Sequence, residues 1–135
     1  MRKLVPRLYI FDLDSTLWDG IKLYEDALDI LKKLRKDGHY VYLASFNRNA
    51  PEYLEALNIK KYFHGGAFGY IPMMTKSQMV NECIDHVRKH YDGTLENIEF
   101  YDDLLSNITD VQDKLEGKVK AVYVENGITW DHIDD

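Results

Sequence analysis

The sequence has a single cysteine, Cys83, so no disulfide can close within the chain. That usage fits a reducing compartment, and Cys83 reads as a packing residue. Long apolar runs are also missing: no stretch approaches the roughly 18 residues of a membrane span, and the basic start Met1-Arg2-Lys3 leads into no signal-peptide core. The expectation is a soluble, cytoplasmic protein with no membrane partner. Basic charge is in deficit, with 17 Lys and Arg against 23 Asp and Glu and a net charge of −6. Nonspecific affinity for nucleic acid rests on clustered Lys and Arg, so a nucleic-acid partner is not expected. Lys32, Lys33, Arg35 and Lys36 do cluster, but on what reads as the wet side of a helix. Repeats, low-complexity segments and linkers are absent. A chain of 135 residues that is 45% hydrophobic therefore predicts one domain over 1–135 with a well-buried core.

What is present is an alternation of two periodicities. Tyr9 to Leu13 is a short apolar run of strand type; from Tyr24 the spacing becomes Tyr24, Ala27, Leu28, Leu31, Leu34, one face of a helix that Gly38 ends. His39 to Ala44 predicts a second strand, and Pro51 opens a short helix to about Leu57. Between Lys60 and Met74, Gly65, Gly66, Gly69 and Pro72 leave room for one short strand near Ala67 to Ile71. Met79, Val80, Cys83, Ile84 and Val87 restore helical spacing. Asn97 to Tyr101 follows as a strand, Leu105 to Leu115 as a helix and Lys120 to Val124 as a last strand. Strands alternating with helices predict an α/β fold: a three-layer, doubly wound, Rossmann-like parallel sheet of about five strands with helices on both faces.

In such sheets ligands bind beyond the carboxyl ends of the strands. Those ends carry Asp12 and Asp14 after the first strand, Ser45 after the second, and Asp102 and Asp103 after the fourth, while Lys76 opens the helix before the fourth. Clustered carboxylates repel one another unless a cation joins them, and an all-oxygen set suits Mg²⁺ rather than zinc. A phosphate ester bound to that metal explains the rest of the rim. Ser45 and Lys76 donate to phosphoryl oxygens, one carboxylate attacks, and a second serves as acid and then as base. A lysine in the first turn of a helix opposes the helix dipole, which a neighbouring anion would offset. His86 and His90 are four residues apart, but no third ligand stands in register, so they read as a solvated pair.

The run Leu8 to Trp18, LYIFDLDSTLW, resembles the first motif of the haloacid dehalogenase superfamily, an apolar strand followed by DxDxT. Ser45 closing YVYLAS, Lys76, and Phe100 to Asp103 as FYDD resemble the second, third and fourth motifs in order. With YDDLLSNI and VYVENGI, FDLDSTLW is similar to the small magnesium-dependent phosphatase-1 group, departing from it where Phe46 and Asn47 replace an Arg-Thr pair after Ser45. The resemblance implies a Mg²⁺-dependent phosphomonoesterase working through an aspartyl-phosphate. It makes Asp12 the nucleophile and a metal ligand, and Asp14 the acid/base with its backbone carbonyl on the metal. Thr16 orients the loop, Ser45 and Lys76 hold the phosphoryl group, Asp102 completes the metal site and Asp103 acts through water. A second aspartate in the first motif goes with phosphate chemistry rather than dehalogenation.

Relatives in that superfamily often insert a cap domain after the first motif or between the second and third. Here neither Leu17 to Ala44 nor Phe46 to Thr75 is long enough to hold one. An open site favours a macromolecular substrate that excludes water itself, with phosphotyrosine on a protein as the expected class. The alternatives are small phosphorylated sugars, nucleic-acid ends, or a catalytically idle module that binds phosphopeptides or proteins.

Overall fold

The computed structural model describes residues 5–69, 74–91 and 94–133. Its strands are β1 (Leu8–Phe11), β2 (Tyr40–Ser45), β3 (Gly65–Phe68), β4 (Ile98–Asp102) and β5 (Lys120–Tyr123). Its helices are α1 (Ala27–Lys36), α2 (Ala50–Ala56), α3 (Lys76–His90) and α4 (Leu105–Lys114). All pairings are parallel, in the order β3-β2-β1-β4-β5, so β1 is central and the chain reverses its direction of travel across the sheet when it leaves β3 for β4.

β1 and β4 are buried along their whole length because both faces of the sheet are covered. Side chains alternate across the sheet plane. Tyr9, Phe11, Val41, Leu43 and Tyr101 pack with Ile30, Leu31 and Leu34 of α1 and Leu54 of α2. Leu8, Ile10, Tyr42, Ala44 and Phe100 pack on the other face with Met79, Val80, Ile84 and Val87 of α3 and Ile108 and Val111 of α4. This is the doubly wound, three-layer sheet that the alternation of periods predicts. Cys83 is buried in the second cluster, as its packing role requires, with its thiol directed at the Leu43 carbonyl.

Boundaries moved where local chemistry overrode the hydrophobic pattern. Leu13 is fully buried yet lies past the end of β1, in the turn that carries the first motif. Tyr24 precedes α1 by three residues and packs against the segment around Gly127 instead. α3 begins three residues before its first apolar contact position, because Thr75 and Gln78 form a reciprocal capping box that fixes Lys76 as the first helical residue.

β3 lies two residues earlier than the glycine punctuation suggests, and part of the predicted Ala67–Ile71 strand falls outside the described residues. Gly66 is in the ladder opposite Leu43, and a Cβ there would sit 2.6 Å from the Leu43 carbonyl oxygen. Its glycine marks a close approach of backbones, not a break. Between β2 and α3 the described elements are α2, a 3-10 turn at Lys60–Tyr62 and β3, with no inserted cap. No described helix is long and apolar enough to cross a membrane.

Candidate active site

The sheet ends bring the sequence-predicted residues to one rim. Asp12 follows β1 directly, its backbone N–H donating to the Tyr101 carbonyl on β4 (2.9 Å). Ser45 is the last residue of β2, Asp102 the last of β4, and Lys76 the first of α3. Asp12, Ser45, Lys76 and Asp102 are all buried, whereas Asp14 is exposed and Asp103 half-buried.

Lys76 is the hub of the site. At 2% exposure its ammonium lies 3.2 Å from Asp12 Oδ1, 3.2 Å from Asp102 Oδ2 and 2.9 Å from the Ala44 carbonyl. The Phe46 ring covers it from a further side, 4.6 Å from Nζ to the ring centroid. The cation at a helix N-terminus is thus matched by the two carboxylates it faces, as its unfavourable position in the first turn demands. Asp102 is oriented by the Leu104 backbone N–H (2.9 Å) and by Asn107 Nδ2 (3.0 Å). The sequence reading does not single out Asn107; its place on the first turn of α4, five residues after Asp102, is the signal that would have found it.

One carboxylate oxygen from each of Asp12, Asp102 and Asp103 comes within 4.8 Å of the others. Three carboxylates against one ammonium leave a formal charge of −2 if all are ionised, and the ligand atoms are all hard oxygens. A divalent cation such as Mg²⁺ fits this set. In the bare cluster, burial drives the Asp12 carboxyl well above the usual carboxylate range; Lys76 pulls it back and Asp102 adds repulsion. Burial likewise raises Asp102, again opposed by Lys76.

The loop after β1 is a tight turn in which Leu13 O accepts from the backbone N–H groups of Thr16 (3.2 Å) and Leu17 (2.9 Å), with Ser15 in the left-handed region at φ 62°. Thr16 is fully buried and its hydroxyl lies 3.4 Å from Asp12 Oδ2, while its carbonyl accepts from Ile128 N–H (2.8 Å). Asp14 receives two side-chain donors: Trp18 Nε1 on Oδ1 (2.9 Å) and Asn47 Nδ2 on Oδ2 (3.3 Å). Trp18 packs against Tyr53, with 4.9 Å between ring centroids and the rings tilted by 41°, and its indole N–H holds the second aspartate. Ser45 Oγ accepts from Asn47 N–H (3.1 Å), which leaves its own proton to donate elsewhere.

These groups surround a cavity of about 230 Å³ lined by Asp12, Asp14, Ser45, Asn47, Lys76 and Asp103, with Phe46 and Leu104 as apolar walls. A larger cleft of about 470 Å³ lies at the opposite end of the sheet, bordered by Arg88, Glu96 and Lys118, and has no converging acids. His86 and His90 stand on the exposed face of α3 with rings stacked 4.0 Å apart. His86 Nδ1 meets the Tyr42 hydroxyl at 2.5 Å, a polar contact away from the acidic rim.

Carboxylates after adjacent parallel strands, a buried lysine at the start of a crossover helix and a hydroxyl on the next strand make a distinctive arrangement. The doubly wound parallel core, with no inserted cap among the described elements, is the architecture that the resemblance to the haloacid dehalogenase superfamily implies. No protein-family model and no curated protein matches the sequence. Among solved structures, the core domain of a provisionally assigned phosphoglycolate phosphatase from Streptococcus pneumoniae TIGR4 is similar with a TM-score of 0.65 at 17% identity, over 99% of this chain and 92% of that one. A chain of the Pnkp1/Rnl/Hen1 complex is similar with a TM-score of 0.54 at 17% identity, over 95% of this chain and 49% of that one. This chain therefore spans about half of that second relative. At such identity the likeness is one of fold, and on this fold the Asp-based cluster is consistent with phosphoester hydrolysis in general.

The second relative corrects one expectation. The net charge of −6 argues against a nucleic-acid partner, yet this fold occurs in an assembly that processes nucleic-acid ends. The physical reason is that net charge is a sum over the whole surface. Terminal phosphate recognition depends on the few charges at the rim, where Lys76 and a bound divalent cation would set the local field.

Proposed function

We propose that this chain is a Mg²⁺-dependent phosphomonoesterase, of the magnesium-dependent phosphatase-1 kind, that acts on a small phosphorylated molecule. The observation that carries the reading is the convergence of Asp12, Asp102 and Asp103 on one another, the first two paired with Lys76, with Ser45 and Asp14 at the mouth of the same cavity. A divalent cation held by Asp12, Asp14 (through its backbone carbonyl), Asp102 and Asp103 would offset the repulsion between an attacking carboxylate and a phosphate dianion. An Asp12 oxygen then forms a bond to phosphorus as the ester bond breaks, and Asp14 gives its proton to the leaving oxygen. Water attacks the aspartyl-phosphate next; its proton passes to Asp14, the Asp12–phosphorus bond breaks, and phosphate leaves with Asp12 restored. Ser45 and Lys76 hold the phosphoryl oxygens and Thr16 fixes the loop that aims Asp12.

The open site favours phosphotyrosine on a protein, but the comparisons support a small ester or a nucleic-acid end better. The cavity of about 230 Å³ has room for a phosphoryl group and little more within the rim. The second reading, a phosphatase for nucleic-acid ends, is favoured by the likeness to the Pnkp1/Rnl/Hen1 chain. Domain organisation is proposed as one catalytic unit over 1–135.

The test is phosphate release, with and without Mg²⁺, from phosphoglycolate and other short phosphorylated acids, sugar phosphates, end-phosphorylated oligonucleotides and a phosphotyrosine peptide. The proposal expects Mg²⁺-dependent turnover, highest on a small ester and absent in Asp12→Asn. A preference for oligonucleotide ends selects the second reading. Absence of turnover on every class would leave an idle phosphate-binding module, and full activity in Asp12→Asn would remove the assigned nucleophile.

A further inference from the structure

Asn47 stands where the resemblance at the second motif breaks down, and it faces the second aspartate of the first motif. Every polar group of Asn47 other than its amide NH₂ is already engaged. Its backbone N–H donates to Ser45 Oγ (3.1 Å), its carbonyl accepts from Ala50 N–H (3.0 Å), and its side-chain Oδ1 accepts from Asn49 N–H (2.9 Å). The Asn49 contact fixes which way the amide is turned, so Nδ2 is the group presented to Asp14 Oδ2, at 3.3 Å. Trp18 Nε1 holds the other oxygen at 2.9 Å. The carboxylate is gripped at both oxygens, from the first-motif loop on one side and from the segment after β2 on the other.

We propose that Asn47 is a positioning residue for Asp14 in the second half of the reaction, the hydrolysis of the aspartyl-phosphate; this rests on the phosphatase reading above. With Oδ1 occupied by Asn49, Asn47 can only donate, so it supports the carboxylate that accepts a proton from water. In that step the water oxygen bonds to phosphorus, the Asp12–phosphorus bond breaks, and the water proton moves to Asp14. Formation of the phosphoenzyme from an aryl ester needs little help at the leaving oxygen, so the two halves depend on Asn47 unequally.

The experiment is rapid mixing of wild type, Asn47→Ala and Asn47→Asp with p-nitrophenyl phosphate and Mg²⁺, following phenolate release and acid-quenched phosphoenzyme. Asn47→Asp keeps the shape and an acceptor for Asn49 but replaces the donor by a carboxylate oxygen that repels Asp14, whereas Asn47→Ala removes the donor without adding charge. Asn47 is partly exposed, and melting temperature verifies that both variants fold. The expected result is a first turnover close to that of wild type, followed by a steady state about tenfold slower or more, with phosphoenzyme accumulating. A steady state within about twofold of wild type in both variants overturns the proposal, as does a first turnover slowed as much as the later ones. A wild type with no turnover and no phosphoenzyme would remove the phosphatase reading itself, an outcome distinct from the other two.

Discussion

The indole Nε1 of Trp18 lies 2.9 Å from Oδ1 of Asp14, joining a buried aromatic to an exposed acid four residues earlier. Trp18 therefore has two separable jobs, packing against Tyr53 and donating to Asp14. Trp18→Phe keeps an aromatic ring and drops the donor. It should lower kcat on an alkyl phosphate by about tenfold, the scale of one hydrogen bond to a charged group, while the melting temperature moves by only a few degrees. A kcat fall matched by a collapse of the melting curve would assign Trp18 to packing alone.

Lys76 balances the buried acids, and removing it exposes that balance. Lys76→Met leaves Asp12 and Asp102 without their cation, a change of the kind that costs about 3–5 kcal/mol when one partner of a buried pair is lost. In EDTA the variant should melt well below wild type, and its turnover should fall more than about 100-fold. Mg²⁺ at about 100 times its dissociation constant should add about 2.7 kcal/mol to wild type, and it should recover more melting temperature in Lys76→Met, whose site is more negative. Equal Mg²⁺ shifts in the two proteins would mean that Lys76 and the metal do not share the same carboxylates.

How far the site was legible depended on which signal each residue leaves. The placement of Asp12, Asp14, Ser45, Lys76 and Asp102 on one rim was readable because a parallel sheet brings its strand ends together, and the apolar runs ending at Leu13, Ala44 and Tyr101 located those ends to within a residue or two. The contacts that Trp18, Asn47 and Asn107 make to the acids were not legible, because each is a single side-chain hydrogen bond that no periodicity announces. The glycine-rich β3 was displaced for a related reason. Pattern reading treats glycine as punctuation, whereas at Gly66 the neighbouring strand and the Phe68 ring leave no room for a side chain.

His64 supplies a pH dependence away from the rim. Its backbone N–H donates to the Val41 carbonyl (2.8 Å), and Val41 N–H donates back to its Nδ1 (3.1 Å), a bond that only an unprotonated Nδ1 can accept. Burial, with Arg35 adding repulsion, lowers its pKa below the ordinary 6.5. Between the folded value and 6.5 the unfolded chain binds more protons, so this contribution is present above 6.5 and is lost as pH falls through the folded value. The His64 ring should titrate below 6.5 by NMR. Melting temperature should drop more between pH 6.5 and 5 in wild type than in His64→Gln. A midpoint at or above 6.5 would contradict the geometry.

Gly127 ties the segment after β5 to the loop that follows β1. It lies in the left-handed region at φ 92°, and a Cβ there would sit 2.5 Å from the Tyr24 ring. That close approach lets the next residue, Ile128, donate its N–H to the Thr16 carbonyl, and Thr16 in turn stands beside Asp12. Gly117 is a natural control: its φ of 76° is also left-handed, but nothing lies within 4 Å of its added Cβ. Gly117→Ala should therefore cost only the backbone preference, about 1–2 kcal/mol, while Gly127→Ala adds displacement of the ring or of the chain. The expected outcome is a larger loss of melting temperature in Gly127→Ala, with a fall in kcat that Gly117→Ala does not share. Equal stability losses and equal activity would show that the Ile128–Thr16 bond does not hold the loop that aims Asp12.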